Sequence, residues 1–265
     1  MHPDADAFYV PDGDLLVATP WTRGPWDRGA QHGGPPSALM ARAIDLAIGE
    51  ERDAWVPART IVELLRPVPI AALGVKTAIE SQGRRAIRAH ASIEHGGVEL
   101  ARARVIFLRT VEGTSALERG GCAPLPAPES WPVFEFPFFL DPIGYHRAME
   151  VRLEDAWPAA SARAWSRMRV PLVLGEPTRG WERLLTFADA AHGVAPALDP
   201  TRYTIVNPDL EVSLTRRPEG EWIALDVQTW TTAIGTGVTR STAHDTTGPI
   251  GAASATLVVR PRDPG

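Results

Sequence analysis

The 265-residue chain has one cysteine, Cys122, so it can form no internal disulfide and no cysteine-based metal cluster. Its seven histidines (His2, His32, His90, His95, His146, His192 and His244) show neither an HExxH run nor paired ligand spacing, and no metal site is expected. Positive charge is in deficit: 27 Lys and Arg against 32 Asp and Glu give a net charge of −5. Such a balance lacks the basic field that nucleic acid or an anionic membrane requires. No apolar run approaches the roughly 20 residues of a membrane span. The N-terminal MHPDADAFYVPDGD is acidic and broken by Pro and Gly, unlike a signal peptide. A cytoplasmic protein with no membrane or nucleic-acid partner is the expectation. A GxSxG elbow is also missing, which argues against hydrolysis through a serine triad.

What the chain does have is a repeat. The segment VELLRPVP from Val62 returns as VSLTRRPE from Val212, so Arg66 maps to Arg216 at an offset of 150 residues. Each copy follows a helix-like run, HGGPPSALMARAIDLA from His32 and RGWERLLTFADAA from Arg179. Self-similarity at so long a period points to duplicated domains. With 44% hydrophobic residues, the length suffices for two cores. Period-2 stretches predict strands at 60–67, 73–81, 85–95 and 98–109, then at 149–153, 162–174, 204–215, 222–230, 237–245 and 251–260. A hairpin is expected within 8–19. Leu39, Ala43, Leu46 and Ala47 are expected to share the buried face of the first helix. The organisation read from this pattern is an N-terminal domain 1–111, a linker 112–147 and a C-terminal domain 148–265. Proline stiffens the linker, and Phe134, Phe136, Phe138 and Phe139 give it four of the seven phenylalanines. It either straps the halves together or walls an apolar channel.

A helix followed by an antiparallel meander, occurring twice, suits an α+β double hot-dog fold, each sheet wrapping a central helix. The stretch GAQHGGPPSALMARAIDLA from Gly29, with FADAAHG, NPDLEVSL, GEWIALDVQT and GPIGAASATLVVR in the second half, resembles the thioesterase-like double hot-dog proteins. It is similar to the bacterial acyl-CoA thioesterase II group over nearly the whole chain. That resemblance implies hydrolysis of acyl-CoA by a fused pair that can form two composite sites, with no cofactor beyond the coenzyme A of the substrate. It also implies a monomer or a homodimer of double hot-dog chains.

Thioester hydrolysis needs a polarised carbonyl, a positioned water and a pocket that excludes bulk solvent. His32, Gly33 and Gly34 at a helix start offer backbone N–H groups for an oxyanion, or else make a tight turn that requires small residues. Aligning the helices with the single-domain pattern puts Ala41 where an acid would stand in the first and Asp189 there in the second. Asp189 is thus the candidate general base or water anchor. His192, three residues on, lies beside it if the helix continues. The resemblance places Asn207 at the position of a water-holding hydroxyl, and Ala255 where relatives present a Gln. Gln228 replaces that amide only if it points inward. Arg84, Arg85 and Arg88 are candidates for the coenzyme A phosphates. The loss of the Gln leaves open a non-catalytic acyl-CoA or lipid-binding protein, and Asn207-Pro208 leaves open an enoyl-CoA hydratase.

Overall fold

Alternating apolar and polar residues build long antiparallel strands. The computed structural model describes residues 5–111, 113, 122–154 and 156–262. A hairpin of β1 (Tyr9–Asp12) and β2 (Leu15–Ala18) leads into helix α1 (Gly34–Ile48). Strands β3 (Trp55–Leu64), β4 (Ala72–Gln82), β5 (Ala86–His95) and β6 (Val98–Arg109) complete the first half. The connection carries β7 (Val133–Phe134) and one helical turn, α2 (Tyr145–Ala148). Then come β8 (Met149–Leu153), β9 (Ser161–Met168), α3 (Gly180–Ala188) and α4 (Ala191–Val194). The chain ends with β10 (Tyr203–Val206), β11 (Asp209–Leu214), β12 (Ile223–Thr231), β13 (Thr236–Asp245) and β14 (Gly248–Pro261).

Among the described residues, the strands join one antiparallel sheet in the order β1-β2-β4-β5-β6-β3-β11-β14-β13-β12-β9-β8-β7, with β10 pairing β14. The central eight strands form a palindrome once β3 to β6 are matched with β11 to β14. The register obeys the same symmetry. At the seam Ile61 stands opposite Glu211, two residues separated by the 150-residue offset of the repeat. A pseudo-two-fold axis therefore passes through this pair, and the two hot-dog units are fused through β3 and β11. Linker residues 112 and 114–121 lie outside the described residues, as do 1–4 and 263–265 of the two expected domains.

Three expectations need correction. The buried residues of α1 run from Gly34 to Ala41 and include Ile44 and Asp45, whereas Leu46 is 50% exposed. The first turns are enclosed by the sheet and α3, so no single stripe is the core face, and the last turn emerges into solvent. The strand expected over 162–174 ends at Met168, and Val173 returns only as an isolated bridge to Tyr9 of β1. The run 204–215 is two strands, interrupted at Asn207-Pro208 because proline has no N–H for the ladder. The Pro208 carbonyl instead accepts a 2.7 Å hydrogen bond from the Leu64 amide.

The start of α1 crosses α3 at backbone contact. A Cβ on Gly34 would stand 2.2 Å from the Thr186 carbonyl oxygen. Gly33 has an ordinary helical φ of −68°, so this glycine pair permits close approach and does not serve a left-handed turn.

Candidate active site

At this crossing the end of α3, the start of α1, the break between β10 and β11 and the aromatic connection enclose a cavity of about 340 Å³. Asp189 caps α3 and is 3% exposed. An ideal Cβ on Gly33 would lie 2.7 and 2.9 Å from its two carboxylate oxygens, so the carboxylate rests on the glycine backbone. Asn207 Nδ2 donates to Asp189 Oδ1 at 2.6 Å, and His32 Nδ1 lies 2.9 Å from Oδ2. Burial alone would raise the Asp189 pKa, yet His32 and Asn207 hold it below the usual carboxylate value. The group is an anion at neutral pH, with a donor on each oxygen.

His32 is fixed by the 2.7 Å bond from its amide to the Thr22 carbonyl and by stacking on Tyr145, with ring centroids 3.8 Å apart and planes 3° from parallel. Tyr145 in turn donates its hydroxyl to the Thr186 carbonyl at 2.9 Å. Burial, reinforced by the charge of Asp189, pushes the Tyr145 phenol well up, which keeps it neutral. His32 Nδ1 also lies 3.2 Å from the Gly34 amide nitrogen. It cannot donate to the carboxylate and accept from that amide at once. The shorter, charge-assisted contact to Asp189 decides the tautomer and puts the proton on Nδ1.

Asn207 Nδ2 also reaches the Asp209 carbonyl at 3.2 Å, and the side-chain oxygen is left as an acceptor. His192 lines the same cavity although α3 ends before it. Burial pushes its imidazole down to about 4 against the pull of Asp189, so it is neutral.

The connection both straps and lines. Trp26, Phe136, Phe138 and Phe139 wall the cavity. Trp26 and Phe138 stack 5.7 Å apart with planes 5° from parallel. Arg28 grips Asp141 at 2.6 and 2.9 Å, which ties the strap to the loop before α1.

Of the expected site residues, the structure brings His32, Gly33, Asp189 and Asn207 together at this cavity. Gly34 sits behind them in the helix crossing and does not line it. Ala255 is 4% exposed and is not brought to the cavity; the β14 residue that lines it is Val258, three positions on. Gln228 is exposed on the outer side of β12. Arg84, Arg85 and Arg88 are exposed around the β4–β5 turn and do not line the cavity, whereas Arg66 does. Sequence reasoning used Arg66 only as a marker of the repeat, and it missed Trp26 and Tyr145. The repeat held one usable signal. Arg216, the counterpart of Arg66, is locked on Asp245 with Nη2 2.7 Å from Oδ1, while His95 occupies the place of Asp245 in the first half. Arg66 thus has no ion pair among the described residues.

The symmetry-related place holds a salt bridge. There Arg217, the counterpart of cavity-lining Pro67, chelates buried Asp45 at 2.8 and 3.2 Å and bonds the Trp55 and Arg52 carbonyls. Arg179 adds a contact to Asp45 at 3.1 Å. A salt bridge fills what duplication would have made a second site. Among the described residues no group of three or more His, Cys, Asp and Glu side chains could hold a metal ion, and no helix is long and apolar enough to cross a membrane.

Comparison with known proteins agrees with this fold. Residues 22–108 match the model of the acyl-CoA thioesterase N-terminal domain, and residues 119–259 that of the acyl-CoA thioesterase C-terminal domain. No curated protein matches the chain. Among solved structures, a candidate thioesterase from Novosphingobium aromaticivorans superposes with a TM-score of 0.72 at 20% identity, covering 95% of this chain and 98% of that one. A hot-dog protein of unknown function from Alicyclobacillus acidocaldarius gives 0.69 at 17% identity over 98% of each chain. A candidate thioesterase II from Thermobifida fusca gives 0.70 at 15% identity, covering 98% and 97%. At these identities the structures share the fold.

Proposed function

Because this chain belongs to the acyl-CoA thioesterase family, we propose that it hydrolyses acyl-CoA to a free carboxylate and coenzyme A in the cavity beside Asp189. The observation that carries this reading is a buried, ionised carboxylate set against a helix-start glycine at the wall of an apolar aromatic chamber. The acyl group lies among Trp26, Phe136, Phe138 and Phe139, which exclude bulk water and strengthen every electrostatic contact inside. The Gly33 amide has no hydrogen-bond partner among the described residues and Gly33 lines the cavity, which makes this N–H the donor for the oxyanion. The Asn207 side-chain oxygen holds the attacking water next to the Asp189 charge. Arg66, exposed at the cavity edge, meets a coenzyme A phosphate. No further cofactor enters the chemistry.

A non-catalytic acyl-CoA binder rests on the alanine at position 255, and that residue does not line the cavity. The test is release of free thiol from a panel of acyl-CoAs of increasing chain length. Wild-type protein is expected to turn over at least one class, and Asp189→Asn to lose 10²-fold or more in kcat while unfolding at an unchanged temperature. Near-wild-type turnover by a folded Asp189→Asn protein would remove Asp189 from the mechanism.

A further inference from the structure

We propose that His32 is the general base of the reaction, its Nε2 taking the proton of the attacking water while Asp189 serves to hold and orient the ring. This assignment rests on the thioesterase reading above.

Four observations carry it. His32 lines the cavity, and its side chain is 10% exposed, so one edge of the ring reaches the chamber. Nδ1 is committed to Asp189 at 2.9 Å, and Nε2 has no hydrogen-bond partner among the described residues. The ring cannot tilt away, because it lies flat on Tyr145, which is itself anchored to α3. Finally, both Asp189 oxygens already accept a hydrogen bond. A carboxylate whose two oxygens already accept hydrogen bonds and whose pKa lies below the ordinary value is a weak base, whereas an imidazole that carries its proton on Nδ1 presents an unshared lone pair at Nε2. The groups facing this ring are Asp189 from α3, Tyr145 from α2 and His192 from α4. Only Asp189 is charged, and its charge stabilises the imidazolium that forms. The division of labour is that of an orienting carboxylate behind a catalytic imidazole.

The step balances without a further reagent. Water oxygen attacks the thioester carbonyl carbon as its proton passes to His32 Nε2, and the C=O pair moves onto oxygen beside the Gly33 amide. When that pair returns, the C–S bond breaks. The coenzyme A thiolate takes the proton from Nε2, and the new carboxylic acid loses its own to solvent.

Two independent measurements test the proposal. In the first, His32→Gln and His32→Ala are assayed for thiol release beside their melting temperatures. Folded His32→Gln is expected to lose at least 10²-fold in kcat, and His32→Ala to recover tenfold or more in millimolar imidazole. A His32→Gln protein that keeps more than a tenth of wild-type kcat overturns the assignment, as does a folded His32→Ala protein that imidazole leaves unchanged. In the second, ¹⁵N NMR of the wild-type imidazole at neutral pH is expected to show the proton on Nδ1 and a bare Nε2, with that preference lost in Asp189→Asn. A ring protonated on Nε2 overturns the proposal whatever the assay gives. A wild-type protein that hydrolyses no acyl-CoA instead defeats the thioesterase reading, and the tautomer still reports on the dyad.

Discussion

Two adjacent glycines, Gly33 and Gly34, look interchangeable in the sequence, and the structure separates them. A Cβ at position 34 would strike the Thr186 backbone, 2.2 Å from its oxygen, so Gly34→Ala must push α1 and α3 apart. We expect a loss of about 3 kcal/mol in chemical denaturation. A Cβ at position 33 would meet side-chain atoms only, Asp189 Oδ1 and Leu64 Cδ1 at 2.7 Å each. Gly33→Ala should therefore displace the carboxylate, lowering kcat tenfold or more at a smaller cost in stability; equal stability losses in the two variants would contradict this. Ala255 makes the complementary point. It is buried on the inner face of β14 away from the cavity, so Ala255→Gln is expected to overfill the core by about 1–3 kcal/mol and to bring no gain in hydrolysis. A rise in kcat would show that position 255 reaches the reacting atoms after all. The residues around Asp189 were legible because each sits in a motif with a chemical reason. Ala255 is named by alignment with relatives, and an alignment does not say which face of β14 meets the cavity. Val258, which lines the cavity, is an odd number of residues away and so lies on the opposite face.

Helix α3 carries a second buried carboxylate, Glu182, in its first turn. Its Oε2 accepts from the Arg179 amide at 2.9 Å, yet burial first and nearby Asp45 next push its pKa up to about 7. The sign follows from linkage. The folded state holds this proton more tightly than the unfolded chain, so stability is greatest below the unfolded value near 4.5 and falls as pH rises to about 7. Glu182→Gln keeps the acceptor and removes the charge. It should flatten that part of the stability–pH curve and stabilise the protein by about 2–3 kcal/mol at pH 8. An unchanged curve from pH 4 to 8 would show that Glu182 stays ionised. At this scale strand identity was readable, since β6 and β8 begin and end at the expected residues. The buried face of α1 was not. Amphipathic period identifies a core face only where a helix has one, and α1 is enclosed by the sheet on one side and α3 on the other.

Over the whole molecule, the two halves have kept one fold and divided their chemistry. In the first half, Leu64 to Pro67 help line a cavity; in the second, Arg217 reaches back to Asp45, which is 1% exposed, and seals the related place. Arg217→Ala leaves the buried Asp45 carboxylate with Arg179, at 3.1 Å, as its remaining cation. The variant is expected to cost about 3 kcal/mol in unfolding free energy, the low end for breaking a buried pair. Thiol release at saturating acyl-CoA should stay at the wild-type rate, because Arg217 has no part in the site beside Asp189. A parallel loss of kcat in the folded variant would mean that the two places are coupled through the helix crossing.

The duplication, the antiparallel strands, the double hot-dog fold and the candidates His32, Gly33, Asp189 and Asn207 were legible before folding was considered. Local periodicity and a 150-residue offset are written in the order of residues, and the seam pairs Ile61 with Glu211 at that same spacing. Which of these candidates meet is settled by the packing of the helices. The contact between His32 and Asp189 spans two helices on opposite sides of the pseudo-axis, and the tautomer that this contact imposes depends on a distance of 2.9 Å that no spacing along the chain encodes. Asp189 and Asp45 read alike as acids in apolar helices. What separates them is the neighbour that folding supplies, an imidazole and an amide for one and two guanidinium groups for the other, because the behaviour of a buried charge is set by its partners in space.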